Sequence, residues 1–364
     1  MDSRLSEGRW LRIPGPTPLH PNVVKALGHE MVPHRGKLIT ELMERIQVTA
    51  KKVHGTESGR VLFWAGTGTS GFEASIVNLT NPGDKVVVTC CGDFGDRYAG
   101  AAEKLGLDVK RVNVPWGTAV TPEQLDEAIA AHGDVAAVFI THNETSTGVT
   151  QEISALAAVA KKHGALVSVD AVSSVGALPI YMEANQIDWV LSGAQKAWMC
   201  PPGLMISALS EQAIEASKKN TGFARFTWDA TAMVEASLQN THPSTPPETL
   251  LFAFDAALQA MEDEGIDALF ARHKRLGEYF RAGLEKIGVE LVADEAVRSN
   301  SVTAFKAPGG NAPAFRDKVR ELSGIELAVG QAQWGDTVMR VGTMGWTEEP
   351  ELQATLEAIE AAAK

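Results

Sequence analysis

The chain has 364 residues, above the ~250–300 at which a single core stops growing, so more than one domain is expected. Its 45% hydrophobic and 21% charged residues suit a globular protein in water, and a net charge of −12 disfavours nucleic acid and anionic membranes as partners. Cys90, Cys91 and Cys200 form neither a metal-spaced set nor a disulfide framework, residues 1–10 lack an apolar signal core, no apolar run approaches the ~18 residues of a membrane span, and the ending Ala-Ala-Ala-Lys is no peroxisomal address, so the expected location is cytoplasmic.

In chain order, residues 9–21 hold four prolines and must form an extended arm. Trp10, Leu11 and Ile13 call for burial, so the arm should cross a partner subunit or line a site. From 21 to 52 the pattern is helical, broken near Pro33-His34-Arg35-Gly36. Strand-like runs appear at 61–64, 86–90, 109–114, 136–141, 166–170, 189–192 and 204–209, with helical patterns at 95–105, 122–131 and 153–163 between them. This alternation predicts an α/β fold: a mainly parallel seven-stranded sheet with helices on both faces. The strand at 204–209 follows the turn Met199-Cys-Pro-Pro-Gly203, too short for a helical crossover, and should run antiparallel. The large domain closes near Thr245-Pro-Pro247. An amphipathic helix follows, carrying Ile266, Leu269, Phe270, His273, Leu276, Phe280, Leu284 and Ile287. Strands at 289–292, 301–305 and 338–342 and helices at 312–322 and 349–362 then make a smaller C-terminal α+β domain. The expected division is an arm over 1–20, a large domain over 21–262 and a small domain over 263–364.

Candidate chemistry gathers at strand carboxyl ends, where the ligand crevice of such a sheet lies. One apolar run ends on Asp170; another is followed by a small-residue turn that delivers Lys196. Taken singly, the first reads as well as a helix cap and the second as a solvated lysine. As a pair they suit pyridoxal phosphate, whose aldehyde condenses with a lysine and whose ring accepts carbanion electrons when a carboxylate keeps its nitrogen protonated. The run Ala65-Gly-Thr-Gly-Thr-Ser-Gly71 follows the first strand and opens a helix. It forms either a phosphate seat of hydroxyls and free N–H groups or a plain strand–helix turn. No acid-ended second strand accompanies it, so it is not read as a dinucleotide site. The polar run 141–148 is either site lining, with Thr145 as a phosphate donor, or a capped turn. Phe94 is either a stacking face for an aromatic ring or core. Arg340, inside an apolar strand, matches a carboxylate bidentately, whether of a substrate or of the protein itself.

The ordered set Ile13-Pro-Gly-Pro-Thr17, His34-Arg35, Gly66-Thr-Gly68, 141–148, Val169-Asp-Ala-Val172, Ser192-Gly-Ala-Gln-Lys196, Pro201-Pro-Gly203, Thr245-Pro246 and Arg340-Val-Gly342 resembles the class V branch of fold-type I pyridoxal-phosphate enzymes. Within it the chain is similar, over essentially its whole length, to the alanine/serine–glyoxylate (or pyruvate) aminotransferase group. The resemblance implies a Schiff-base role for Lys196 and a ring-nitrogen contact for Asp170. Thr67, Gly68, Thr69 and Thr145 would hold the phosphate and cofactor, Phe94 and Val172 would face the two sides of the ring, and Gln195 would sit beside Lys196. Arg340 would clamp the substrate carboxylate, with Gly15 nearby. A homodimer is implied, in which the neighbouring subunit completes the phosphate seat with Thr245 and with His242, where the family carries tyrosine. The implied reaction is ping-pong transamination, through pyridoxamine phosphate, between a small amino acid (serine or alanine) and a 2-oxo acid (glyoxylate or pyruvate). Relatives using ureidoglycine, aspartate or aminoethylphosphonate share the scaffold, as do class V C–S lyases and non-catalytic accessory subunits. A desulfurase of this scaffold needs a reactive cysteine on a loop in its later half, and no cysteine occurs after Cys200.

Overall fold

The computed structural model describes residues 10–364; the expectations resting on residues 1–9 lie outside them. Seven strands form the central sheet: β1 (Arg60–Gly66), β2 (Lys85–Cys90), β3 (Asp108–Asn113), β4 (Ala137–Thr141), β5 (Leu166–Asp170), β6 (Trp189–Gly193) and β7 (Gly203–Leu209). Their spatial order is β1-β7-β6-β5-β4-β2-β3. The pairs β3–β2, β2–β4, β4–β5 and β5–β6 are parallel, whereas β7 is antiparallel to both β6 and β1, as the short turn before it requires.

Each central strand buries both faces. In β4, Val138 and Ile140 join one apolar cluster, while Ala137 and Phe139 join the other. The first cluster takes Leu42 and Ile46 of α2 (Lys37–His54), Leu156 of α6 (Ile153–Lys162) and Phe254 of α9 (Glu248–Glu264). The second takes Phe72 and Ile76 of α3 (Gly68–Leu79) and Tyr98 of α4 (Asp93–Lys104). Burial of each large aliphatic side chain contributes roughly 1.5–3 kcal/mol, which makes the continuous apolar runs of these strands the source of the layered architecture.

The helix α10 (Ile266–Ile287) leads away, with Leu269 in the first cluster and Leu276, Phe280 and Leu284 in a third. That third core lies under a small antiparallel sheet in which β10 (Val338–Gly342) sits between β8 (Val302–Lys306) and β9 (Ala328–Val329). The strand expected at 289–292 is not formed. This segment runs beside β8, but Asp294 turns off to donate its N–H to Gly117 O, leaving a single bridge at Leu291–Phe305 instead of a ladder. Among the described residues no helix is long and apolar enough to cross a membrane.

The arm pairs Trp10–Leu11 in parallel with Ile325–Glu326. Its burial pattern differs from expectation: Trp10, Leu11 and Ile13 are half-buried, while Arg12 and Pro14 are buried. Arg12 reaches Glu351 at 3.1 Å and Thr347 Oγ1 at 3.1 Å, so a charge pair adds to the apolar contact of Trp10 that fastens the arm to the third core. From there the chain runs on to the end of the large sheet.

Candidate active site

Asp170 ends β5 and lies opposite Thr141 of β4, with 3% of its surface exposed. Its Oδ1 accepts one hydrogen bond, from Val172 N at 2.9 Å. Burial pushes its pKa up to about 7; the Val172 N–H opposes this, the charge of Glu144 adds to it, and the charge of Lys196 also opposes it. Lys196 stands three residues beyond β6. Its turn is pinned by Ala194 N to Leu204 O, Cys200 N to Ala194 O and Met199 N to Lys196 O, all at 3.0 Å, with Met199 at a positive φ of 59°. The Lys196 ammonium is brought down to about 8, first by burial and then by Arg340, with Asp170 acting against both. Each of these two groups thus feels the other's charge across the end of the sheet.

The arm closes over this lysine. Lys196 Nζ donates to Pro14 O at 2.5 Å, and Thr17 Oγ1 donates to Lys196 O at 2.7 Å. Gly15 has a φ of +123° and lies so close that a Cβ there would fall 2.6 Å from Lys196 Cδ, so only glycine fits. Of the two roles expected for the arm, lining the site is the one this chain displays by itself.

Arg340, in β10, is 9% exposed. Its hydrogen bonds go to neutral oxygens: Val329 O at 2.9 Å, Gln331 Oε1 at 2.7 Å and Thr145 O at 3.3 Å. Burial lowers its pKa to about 10, against the charges of Glu144 and Asp93. A buried guanidinium with only neutral acceptors among the described residues has electrostatic capacity left for an incoming carboxylate.

Thr67, Gly68 and Thr69 start α3. Thr67 N is taken by Ser70 Oγ at 2.8 Å, and the next N–H groups are those an α-helix leaves without an internal partner. Gly68 sits against Val172, where a Cβ would lie 2.5 Å from Val172 Cγ2. Thr145 is buried, and its hydroxyl donates to Ser173 Oγ at 2.8 Å. Phe94 is half-buried beside the second core, with the Arg97 guanidinium 5.0 Å from its ring centroid. Gln195 Oε1 is buried and has no hydrogen-bond partner among the described residues. His242 hydrogen-bonds at Ser244 in its own turn and to the Phe63 backbone of β1, and Thr245 is exposed; among the described residues neither bonds to Asp170, Lys196 or Arg340.

Pyridoxal phosphate fits what these residues offer. Asp170 is a buried acid with a single donor and suits a protonated ring nitrogen. Lys196 is a buried amine close to neutrality, the orphaned Gln195 Oε1 calls for a partner, and the glycine at 68 brings the free end of α3 against Val172. Glu144, Ser173, Gln331 and the Pro14 carbonyl were not foreseen from the sequence. Glu144 is the single acid in the polar run 141–148, the one signal that marked it; a backbone carbonyl leaves none.

Fold and site together define a fold-type I pyridoxal-phosphate aminotransferase scaffold. An alanine–glyoxylate aminotransferase from Nostoc matches it with a TM-score of 0.94 at 30% identity, covering 100% of this chain and 97% of that one. Residues 18–344 match the family described as aminotransferase class-V, and the chain belongs to that family, whose cofactor is pyridoxal phosphate. It is similar to the soluble hydrogenase small subunit of Synechococcus, with 36% identity over 98% of this chain and 93% of the relative. It is also similar to an L-aspartate–glyoxylate aminotransferase from Paracoccus denitrificans, 34% identical over 92% and 85%, and to a serine–glyoxylate aminotransferase from Methylorubrum extorquens, 32% identical over 96% and 90%.

Proposed function

We propose that this aminotransferase moves the amino group of a small amino acid, serine or alanine, to glyoxylate or pyruvate in two ping-pong half-reactions. The observation that carries the reading is the burial of Asp170 and Lys196 at neighbouring strand ends, each within the other's field, with Arg340 as the third charge. Pyridoxal phosphate, when bound, supplies the aldehyde that accepts the amino group and the ring that takes up the electrons released at Cα. Asp170 holds the proton on the ring nitrogen. The first turn of α3 (Thr67, Gly68, Thr69) anchors the phosphate together with Thr145, and Val172, Phe94 and Gln195 orient the ring. Arg340 and the arm at Gly15 bind the α-carboxylate, which fixes the Cα–H bond relative to Lys196. Lys196 Nζ takes that proton as a general base and returns it to the other side of the transfer, a role suited to an amine near neutrality. In this reading the arm, large domain and small domain divide at residues 20 and 262. The protein works as a homodimer in the cytoplasm, and His242 and Thr245 reach the partner's phosphate seat. The names of relatives acting on alanine, serine and aspartate with glyoxylate support glyoxylate as acceptor.

A matrix of amino donors against 2-oxo acids tests this with purified protein. Serine or alanine should bleach the visible band of the loaded protein and yield the matching 2-oxo acid; turnover confined to aspartate would move the donor to the dicarboxylic class. The soluble-hydrogenase name of one relative favours a second reading, a cofactor-binding subunit without turnover. A visible band that persists with every amino acid would select that reading.

A further inference from the structure

Glu144 is a charged group at the heart of the site to which the reaction above gives no part. It belongs to the hairpin pairing Asn143–Glu144 with Val149–Thr150, and none of its surface is exposed. Its Oε2 accepts Phe94 N and Gly95 N, both at 3.1 Å, and its Oε1 accepts Ser146 N at 3.0 Å and Ser146 Oγ at 2.6 Å. Ser146 Oγ in turn accepts Asp93 N at 3.0 Å. The first three amides of α4 are therefore all satisfied from this hairpin. Both carboxylate oxygens act only as acceptors, as an ionised carboxylate at a helix N-terminus does. The fit is close: a Cβ on Gly92 would lie 2.4 Å from both Glu144 Cγ and Ser146 Oγ. The next residue of the hairpin, Thr145, gives its carbonyl to Arg340. Burial pushes the Glu144 carboxyl above its ordinary value and the hydrogen bonds from Ser146, Gly95 and Phe94 hold it down; its charge bears on Cys91 and Cys90 at the end of β2, on Asp170 of β5 and on Arg340 of β10, with Asp93 beside it in the cap of α4.

We propose that Glu144 is a positioning residue: its buried carboxylate aims Phe94 at the cofactor ring by fixing the start of α4, and its charge steadies the cationic side of the site through the hairpin that Arg340 grips. The inference rests on the reading that pyridoxal phosphate binds between Asp170 and Lys196. A helix cap alone would affect stability; a positioning carboxylate also sets the titration of the lysine-bound cofactor, because a nearby anion favours its protonated form.

Glu144→Gln tests this, because glutamine keeps the volume but removes the charge and turns an N–H toward the amides of Phe94 and Gly95. The visible band of the loaded variant should titrate at least ~0.5 pH unit lower than in the wild type. Cofactor affinity, read by equilibrium dialysis, should fall by ~10-fold. Phe94→Ala should weaken binding too, and the double variant should lose less than the product of the two losses, since both act through one ring. Glu144→Asp, which keeps the charge, should retain the wild-type midpoint and supplies the measurement if the glutamine variant does not fold. A Gln variant with wild-type midpoint and affinity overturns the inference whatever its melting temperature; so does a shifted midpoint in the Asp variant, or multiplicative losses in the double variant. A wild type that forms no visible band defeats the cofactor reading itself and takes this inference with it.

Discussion

Without cofactor, Asp170 pays for its position whenever it ionises. Its folded pKa of about 7 lies above the ~3.9 of unfolded aspartate, so the stability it contributes is full below about pH 4 and is lost as pH rises through 7. Asp170→Asn should therefore make the cofactor-free protein more stable near pH 8, by on the order of 3 kcal/mol, with no difference near pH 4. Thermal unfolding at the two pH values checks this; equal melting temperatures near pH 8 would remove the strained acid from the account. Lys196→Ala should cut turnover by ~10²–10⁴-fold or more while dialysis still detects retained cofactor, since the phosphate anchors are untouched. Arg340→Lys exchanges a planar fork for a point charge. The loss of ~1.5–3 kcal/mol should appear mainly as a KM for the amino acid raised ~10–150-fold. Steady-state kinetics with an unchanged KM would place the carboxylate clamp elsewhere.

Two contacts decide whether the elements meet as the site requires. The start of α3 lies against Val172 with no room for a methyl group, so Gly68→Ala must push the helix end or the valine away. Overpacking of this kind costs ~1–3 kcal/mol, and the displacement should weaken cofactor binding by ~10-fold or more, measured by dialysis. The pair Arg12–Glu351 fixes the arm to the C-terminal helix α12 (Glu349–Ala363). The elements themselves were largely legible in the sequence. All seven strands of the central sheet and the antiparallel sense of β7 were legible from run length and turn chemistry: six are apolar runs with no other stable place, and the edge strand β3 mixes Val109 and Val112 with Lys110 and Arg111. Local pattern failed where long-range backbone bonds decide: at 289–292, diverted toward Gly117, and at the two-residue pairings 325–326 and 328–329, too short to carry periodicity.

On the scale of the whole molecule the site gathers parts far apart in the chain: the arm, the start of α3, the ends of β4, β5 and β6, and β10 of the small sheet. Asp170 and Lys196 were legible because each stands at the end of an apolar strand. The burial of Arg12 beneath half-exposed neighbours was not, because it depends on where Glu351 and Thr347 fall after the chain has folded. His242 and Thr245 lie apart from this assembly within one chain, and the proposed dimer assigns them to the partner's site. Mixing Lys196→Ala protein with a Thr245→Ala variant after subunit exchange should then restore part of the activity that neither has alone. Each hybrid would hold one site with both residues intact. No recovery, with exchange verified by mass, would place Thr245 outside the shared site.

The lysine-bearing turn is clamped at both ends, to Leu204 behind and within its own 194–200 loop, and its strand is held on both flanks. Its backbone is therefore a fixed post, and any travel between partners must come from rotation about the four-carbon stem. Such an enzyme can retune what it accepts by reshaping the arm and the small sheet around that post while leaving the proton-carrying machinery where it stands.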